Sequence, residues 1–130
     1  QNDQMSIAAE VRDVGEPLRT YLCTLRPAET GKIAWYIAEA FLTDGSPAEA
    51  STYLRLALDA YESLDAPLSA AELRWQLALA LAGTEPEEAR RLAEAALRDH
   101  RRFGRRAEVS TISRWIQNLP SSPRPTKSNP

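Results

Sequence analysis

Ala34-Trp35-Tyr36-Ile37-Ala38 is followed 40 residues later by Arg74-Trp75-Gln76-Leu77-Ala78, and after another 40 residues Arg114-Trp115-Ile116 starts the pattern again. A fixed period of this length is the mark of stacked helical units, none of which buries its own apolar face alone. Outward from Trp35, the residues Ile33, Ile37, Ala38, Phe41 and Leu42 form an apolar stripe from about residue 30. Thr43-Asp44-Gly45-Ser46 reads as a turn. Ser46 suits a helix N-cap, Pro47 the first helical position, and Glu49 completes a capping box. The helix from 47 to about 64 carries Ala50, Tyr53, Leu54, Ala57, Leu58, Tyr61 and Leu64, spaced by threes and fours. Pro67 marks a break, and Ser69 caps a helix over about 70–82 with Leu73, Leu77, Ala78 and Leu81 on one face. The turn Gly83–Pro86 is one residue shorter than Thr43–Pro47. Residues 86–103 carry Ala89, Leu92, Ala93, Ala96, Leu97 and His100, and Gly104 ends them. A last helix, about 105–119, presents Val109, Ile112, Trp115, Ile116 and Leu119.

The signal is weaker toward the N-terminus. Ile7, Val11 and Val14 fall at spacings of four and three, and Gly15 can end that helix, about 4–14. Pro17 opens a second one, about 17–26, with Leu18, Tyr21, Leu22 and Leu25, and Pro27 stops or restarts the chain. No segment alternates polar and apolar residues over a strand's length. After Pro120 no large apolar residue remains, so burial cannot offset the ordering entropy of residues 121–130. The organisation expected is a weakly helical segment 1–16, a helical repeat domain 17–119 and a flexible tail 120–130.

The hydrophobic fraction of 43% in 130 residues is enough for one domain with a sizeable core. A net charge of −2 gives no global attraction to nucleic acid or anionic membrane. No apolar run approaches the roughly 20 residues of a membrane span, and no secretory signal is visible, so a cytoplasmic location is expected. One cysteine, Cys23, excludes an internal disulfide, and its apolar neighbours predict burial. Fourteen of the sixteen basic residues are Arg, the usage of a GC-rich bacterial genome. The chain begins at Gln1, which fits a piece of a larger protein. Charge is uneven: residues 1–65 carry 5 basic and 11 acidic side chains, 5 − 11 = −6, and residues 66–130 carry 11 and 7, 11 − 7 = +4.

These hairpins resemble the tetratricopeptide repeat (TPR) family over about 31–103. Ile37-Ala38 is a bulky-then-small pair, Phe41 follows one turn later, and Ala50, Leu54 and Ala57 lie on the second helix. The second unit offers Leu77-Ala78, Leu81, Ala89, Ala93 and Ala96. In the last helix Gln117-Asn118 replaces the pair, which suits a polar-faced cap. The loop at 65–70 makes the period longer than that family's usual one. The resemblance implies an all-α fold of antiparallel hairpins, stacked as a short right-handed solenoid with a C-terminal capping helix. It also implies a concave groove lined by the first helices. Lys32, Trp35 and Glu39 of the first unit and Glu72, Trp75 and Leu79 of the second would then point into it. The tryptophans have two readings, as groove anchors or as wedges in the core.

No catalytic constellation is present, and no cofactor is expected. His100 is the single histidine and falls where Tyr61 falls in the preceding unit, which suits an aromatic-sized filler. Glu85, Glu87 and Glu88 stand at a helix start, where carboxylates complement the dipole; no metal site is expected. Arg98, Arg101, Arg102, Arg105 and Arg106 could bind an acidic partner, or they complement the C-terminal dipole of their own helix. Phe103 reads as core, so base stacking finds no support and nucleic acid is not expected. The function these residues suggest is non-enzymatic protein–protein interaction, as a scaffold within a bacterial regulatory or effector protein. The alternative is a structural module that self-associates through its acidic and basic halves.

Overall fold

The computed structural model describes residues 3–120, which fold as seven helices: α1 (Asp3–Val14), α2 (Glu16–Leu22), α3 (Pro27–Thr43), α4 (Pro47–Ser63), α5 (Pro67–Leu81), α6 (Pro86–Arg102) and α7 (Arg106–Gln117). No strand occurs among the described residues. The expected tail 121–130 lies outside them. Proline opens α3, α4, α5 and α6, where its missing N–H is not needed and its fixed φ starts the helix. Pro67 is therefore the start of α5 and not a break before it, and Ser69 lies inside the first turn. The α5–α6 link, 82–85, is also longer than the α3–α4 link, 44–46, contrary to the turn comparison made from sequence.

Three of the links end their helix in the same way. Ser46 N–H donates to Phe41 O at 2.9 Å, Ala66 N–H to Tyr61 O at 3.1 Å, and Arg105 N–H to His100 O at 2.9 Å. This six-to-one closure needs a left-handed residue, supplied by Gly45 at φ 78° and Gly104 at φ 69°. Between α4 and α5 the same position is Asp65, at φ 56°.

From α3 onward each helix packs on the next, and α1 packs on α3. Ala34, Ala38, Ala50, Ala57, Ala78, Ala89, Ala93 and Ala96 are wholly buried, so methyl groups line the closest approaches. Ile37, Phe41, Leu54, Leu73, Leu77 and Leu81 fill the gaps between them. Gly31 takes this further: a Cβ there would stand 2.7 Å from Tyr61 Cε2, so the ring of α4 lies directly on the backbone of α3. Ala8 and Val11 of α1 join the same core. Six residues depart from expectation, among them Val14, Tyr21 and Leu64, which sit on the expected apolar stripes and are exposed. Cys23 is exposed, because α2 stops at Leu22 and the chain turns there. Phe103 is 41% exposed, its ring lying beneath the Arg102 guanidinium at 4.8 Å. Ile33 is 40% exposed although its stripe continues into the core.

The capping box at α4 does not form. Ser46 and Glu49 turn instead to Arg12 of α1. Arg12 Nη2 donates to Asp44 Oδ2 at 2.6 Å and to Ser46 Oγ at 2.8 Å, while Nε donates to Glu49 Oε2 at 2.9 Å. The guanidinium also lies 5.2 Å from the centre of the Phe41 ring, which stacks on Tyr53. One arginine thus ties α1 to both sides of the α3–α4 turn.

Two predictions follow from this packing. Ala57→Leu places three extra carbons between helices that are already in contact, and should lower stability by roughly 1–3 kcal/mol in a thermal melt. The second concerns acid. Hydrogen bonds from Arg12 and then Ser46 hold the Asp44 carboxyl below its ordinary 3.8. A depressed folded value means that its contribution is complete above 3.8 and is lost as pH falls through the lower value. Arg12→Gln should therefore lower the melting temperature at about pH 7, and the difference from the parent should shrink toward about pH 3.

Candidate interaction surface

The faces of α3 and α5 that α4 and α6 leave open carry the residues singled out from sequence. Lys32 and Glu39 are exposed on α3, and Leu79 is 46% exposed on α5. Glu72, Trp35 and Trp75 are half-buried. The two helices are joined across this face. Trp35 Nε1–H donates to Gln76 Oε1 at 2.9 Å, and Gln76 Nε2 donates to Glu72 Oε2 at 3.4 Å. Trp35 of α3 is thus connected to Glu72 of α5 through a side chain that sequence reasoning passed over. Gln76 sits 40 residues after Tyr36, so the periodicity holds the signal, while nothing local marks it as a link to α3.

Each tryptophan is also a packing residue. The Trp35 ring meets Tyr61 edge-on, with centroids 5.5 Å apart at 74°. Trp75 meets Trp115 at 5.3 Å and 89°. Alignment by structure changes the register of the third tryptophan. Leu73 and Ile112 are both wholly buried, 39 residues apart, and α7 begins 39 residues after α5. By that spacing the counterpart of Trp75 is Arg114, and Trp115 is the counterpart of Gln76. Trp35 reaching Gln76 and Trp75 reaching Trp115 are therefore one contact made twice, from each first helix to the next. The repeat of 40 recognised in the sequence holds between α3 and α5 and shifts by one residue at α7.

Between α5 and α7 a cleft of about 220 Å³ is lined by Glu72, Trp75, Ala107, Glu108, Thr111 and Ile112. Arg105 donates to Glu108 at 3.0 Å, and this hydrogen bond holds the Glu108 carboxyl below its ordinary range. The cleft thus joins one tryptophan edge to two carboxylates, a setting that suits an apolar side chain flanked by donors.

The arginine group divides in two. Arg105 is paired with Glu108, and Arg102 lies 3.8 Å from Asp99. Arg98, Arg101 and Arg106 are exposed and make no ion pair among the described residues. Arg101 and Arg106 flank a shallow hollow of about 360 Å³ whose other walls are Gly104, Val109 and Ser110. Glu88, at the start of α6, pairs with Arg55 of α4 at 3.5 Å. His100 is 1% exposed, and neither ring nitrogen has a hydrogen-bond partner among the described residues. Among the described residues no group of three His, Cys, Asp or Glu side chains is placed to hold a metal ion, and no helix is long and apolar enough to cross a membrane.

No protein-family model, curated protein or solved structure matches this chain.

Half-burial gives the tryptophans a measurable signature. Trp75→Ala removes the edge contact with Trp115 together with part of the core, and should cost about 2–3 kcal/mol, below the full-core range. Acrylamide should quench the indole fluorescence of the parent to a level between those of free and fully buried tryptophan. Complete protection would place the indoles in the core alone and remove them from the surface.

Proposed function

We propose that the chain is a protein-recognition module. In this reading α3–α4 and α5–α6 are two hairpins of a short, right-handed, TPR-like stack capped by α7. The open faces of α3 and α5 form a concave groove for a peptide or helix of a partner protein. The bacterial, cytoplasmic and non-enzymatic character read from the sequence belongs to the same proposal.

The observation that supports it is the Trp35–Gln76–Glu72 connection. It makes one surface of residues that are far apart in the chain. That surface has an indole at its centre, a half-exposed Leu79, and Lys32 and Glu39 at its edge. Large amphipathic side chains held by their neighbours lose little entropy on binding, which is why such residues dominate interfaces. The polar alternation suits a helix that lays an apolar stripe between charged flanks.

The test uses peptides selected from a random library against the immobilised chain, with binding read by fluorescence anisotropy. Leu79→Glu and Lys32→Glu should each weaken the selected peptides about tenfold or more and leave the melting temperature close to that of the parent. Arg98→Glu, which lies away from this face, should leave binding in place. Failure to select any peptide, or selected peptides insensitive to Leu79 and Lys32, would remove the groove.

A further inference from the structure

The two ends of the helix array are unlike, and each lacks a cover that the interior units possess. On α5, Gln76 faces α3, because it accepts the hydrogen bond of Trp35. Leu73, one turn before it, shares that side and is 0% exposed. On α7 the counterpart Ile112 is also 0% exposed, and Trp115 meets Trp75 of α5. The same two positions on α3 are Ile33 and Tyr36, and they are 40% and 51% exposed. α1 packs on α3 through Ala8 and Val11 but leaves these two side chains open. Thr30 Oγ1 donates to Leu22 O at 2.6 Å beside α2, and Arg12 of α1 reaches the turn at Asp44. An apolar patch is left open in the middle of α3. Glu10, Asp13 and Glu16 are exposed on α1 and α2 and make no ion pair among the described residues, and the cation beside Ile33 is the exposed Lys32.

The other end is the reverse. Ala70 of α5 is 3% exposed in a recess walled by Tyr61 of α4 and Asp99 of α6. Its counterpart on α7 is Val109, which has Arg101 of α6 on one side and stays partly exposed in the hollow with Gly104 and Arg106. Arg101 and Arg106 make no ion pair among the described residues, and Arg114 donates to Ser110 of the hollow at 3.2 Å.

We infer that this chain associates head to tail, the open Ile33 and Tyr36 in the acidic N-terminal half of one copy seating on the arginine-flanked Val109 hollow of the next. The occupant is a second copy because one chain carries both halves. The open carboxylates of α1 and α2 answer the open arginines of α6 and α7, and each end presents apolar surface where an interior unit is covered. The patch and the hollow are different surfaces of the same chain, so the contact is heterologous and leaves a free patch and a free hollow at the ends of every oligomer. It does not rest on the groove between α3 and α5, whose test uses Leu79 and Lys32.

Sedimentation of the full chain, from micromolar to about millimolar concentration and at about 50 mM and about 500 mM salt, tests this contact. At low salt the mean mass should rise with concentration beyond two chains, and at high salt it should return toward one. Glu10→Arg with Asp13→Arg, and separately Arg101→Glu with Arg106→Glu, should each weaken association about tenfold or more. All four positions are exposed, and a thermal melt checks that each variant is folded. Mixing the two charge-reversed variants should restore association, because each reversed end then meets a reversed partner. Ile33→Asp should weaken it with the charges intact. A single-chain mass throughout at low salt would overturn the inference. So would association unaffected by salt or by these variants, or a mixture that stays monomeric.

Discussion

Ala38, Ala57, Ala78 and Ala96 are each wholly buried, and a methyl group is all that each puts between neighbouring helices. Backbones brought this close leave no room for a second layer of small side chains. Bulk must therefore sit in the gaps, where Ile37, Phe41, Leu54, Leu73 and Leu77 are found. Gly31 under the Tyr61 ring is the extreme case, since even a methyl is excluded there. This steric condition fixes the depth at which α3 lies on α4 and α5 on α6. The height at which each first helix emerges beside the next depends on it, and so does the reach of Trp35 to Gln76.

The tryptophans show how such a contact can serve packing and surface together. An indole is long enough to bury its six-membered ring against a neighbour and keep an edge open, and its single N–H needs a partner only on one side. In Trp35 that partner is Gln76, which passes the connection on to Glu72. In Trp75 the neighbour is another indole, and Glu72 and Glu108 line the same cleft. The choice posed by the sequence between anchor and wedge was too sharp for residues of this size, because one side chain spans both environments.

Features set by local chemistry were legible in the sequence. Pro47 and Pro86 open helices, Gly45 and Gly104 close them, and Ala57 and Ala96 lie in the interior, all as the spacing predicts. Features set by distant residues were not. The capping box of Ser46 and Glu49 is correct as a pattern, but Arg12, 34 and 37 residues away, outcompetes the local backbone for both side chains. Ile33 belongs to a helical apolar stripe, yet its burial depends on what precedes α3, and α2 is too short to supply it. The apolar neighbours of Cys23 and the aromatic character of Phe103 point to the interior, whereas both lie just past helix ends and are exposed. At the surface, periodicity placed Trp35, Glu72 and Trp75 on related faces, but the link through Gln76 requires two helices at a known separation, which one strand of sequence does not contain.

The one-residue shift at α7 bears on how an array of this kind can change length. Counting from α5 to α7, the unit is residues 67–105, and it ends in the Gly104 closure. If that unit were duplicated in tandem, Trp75 of the first copy would stand where Gln76 of the second follows it by 40 residues. That is the position Trp115 occupies now, and the pairing of indole with glutamine already exists between Trp35 and Gln76. The joint is thus compatible with its own repetition. A longer relative could arise by a single copying event in the coding sequence, with α7 carried along unchanged as the terminal lid.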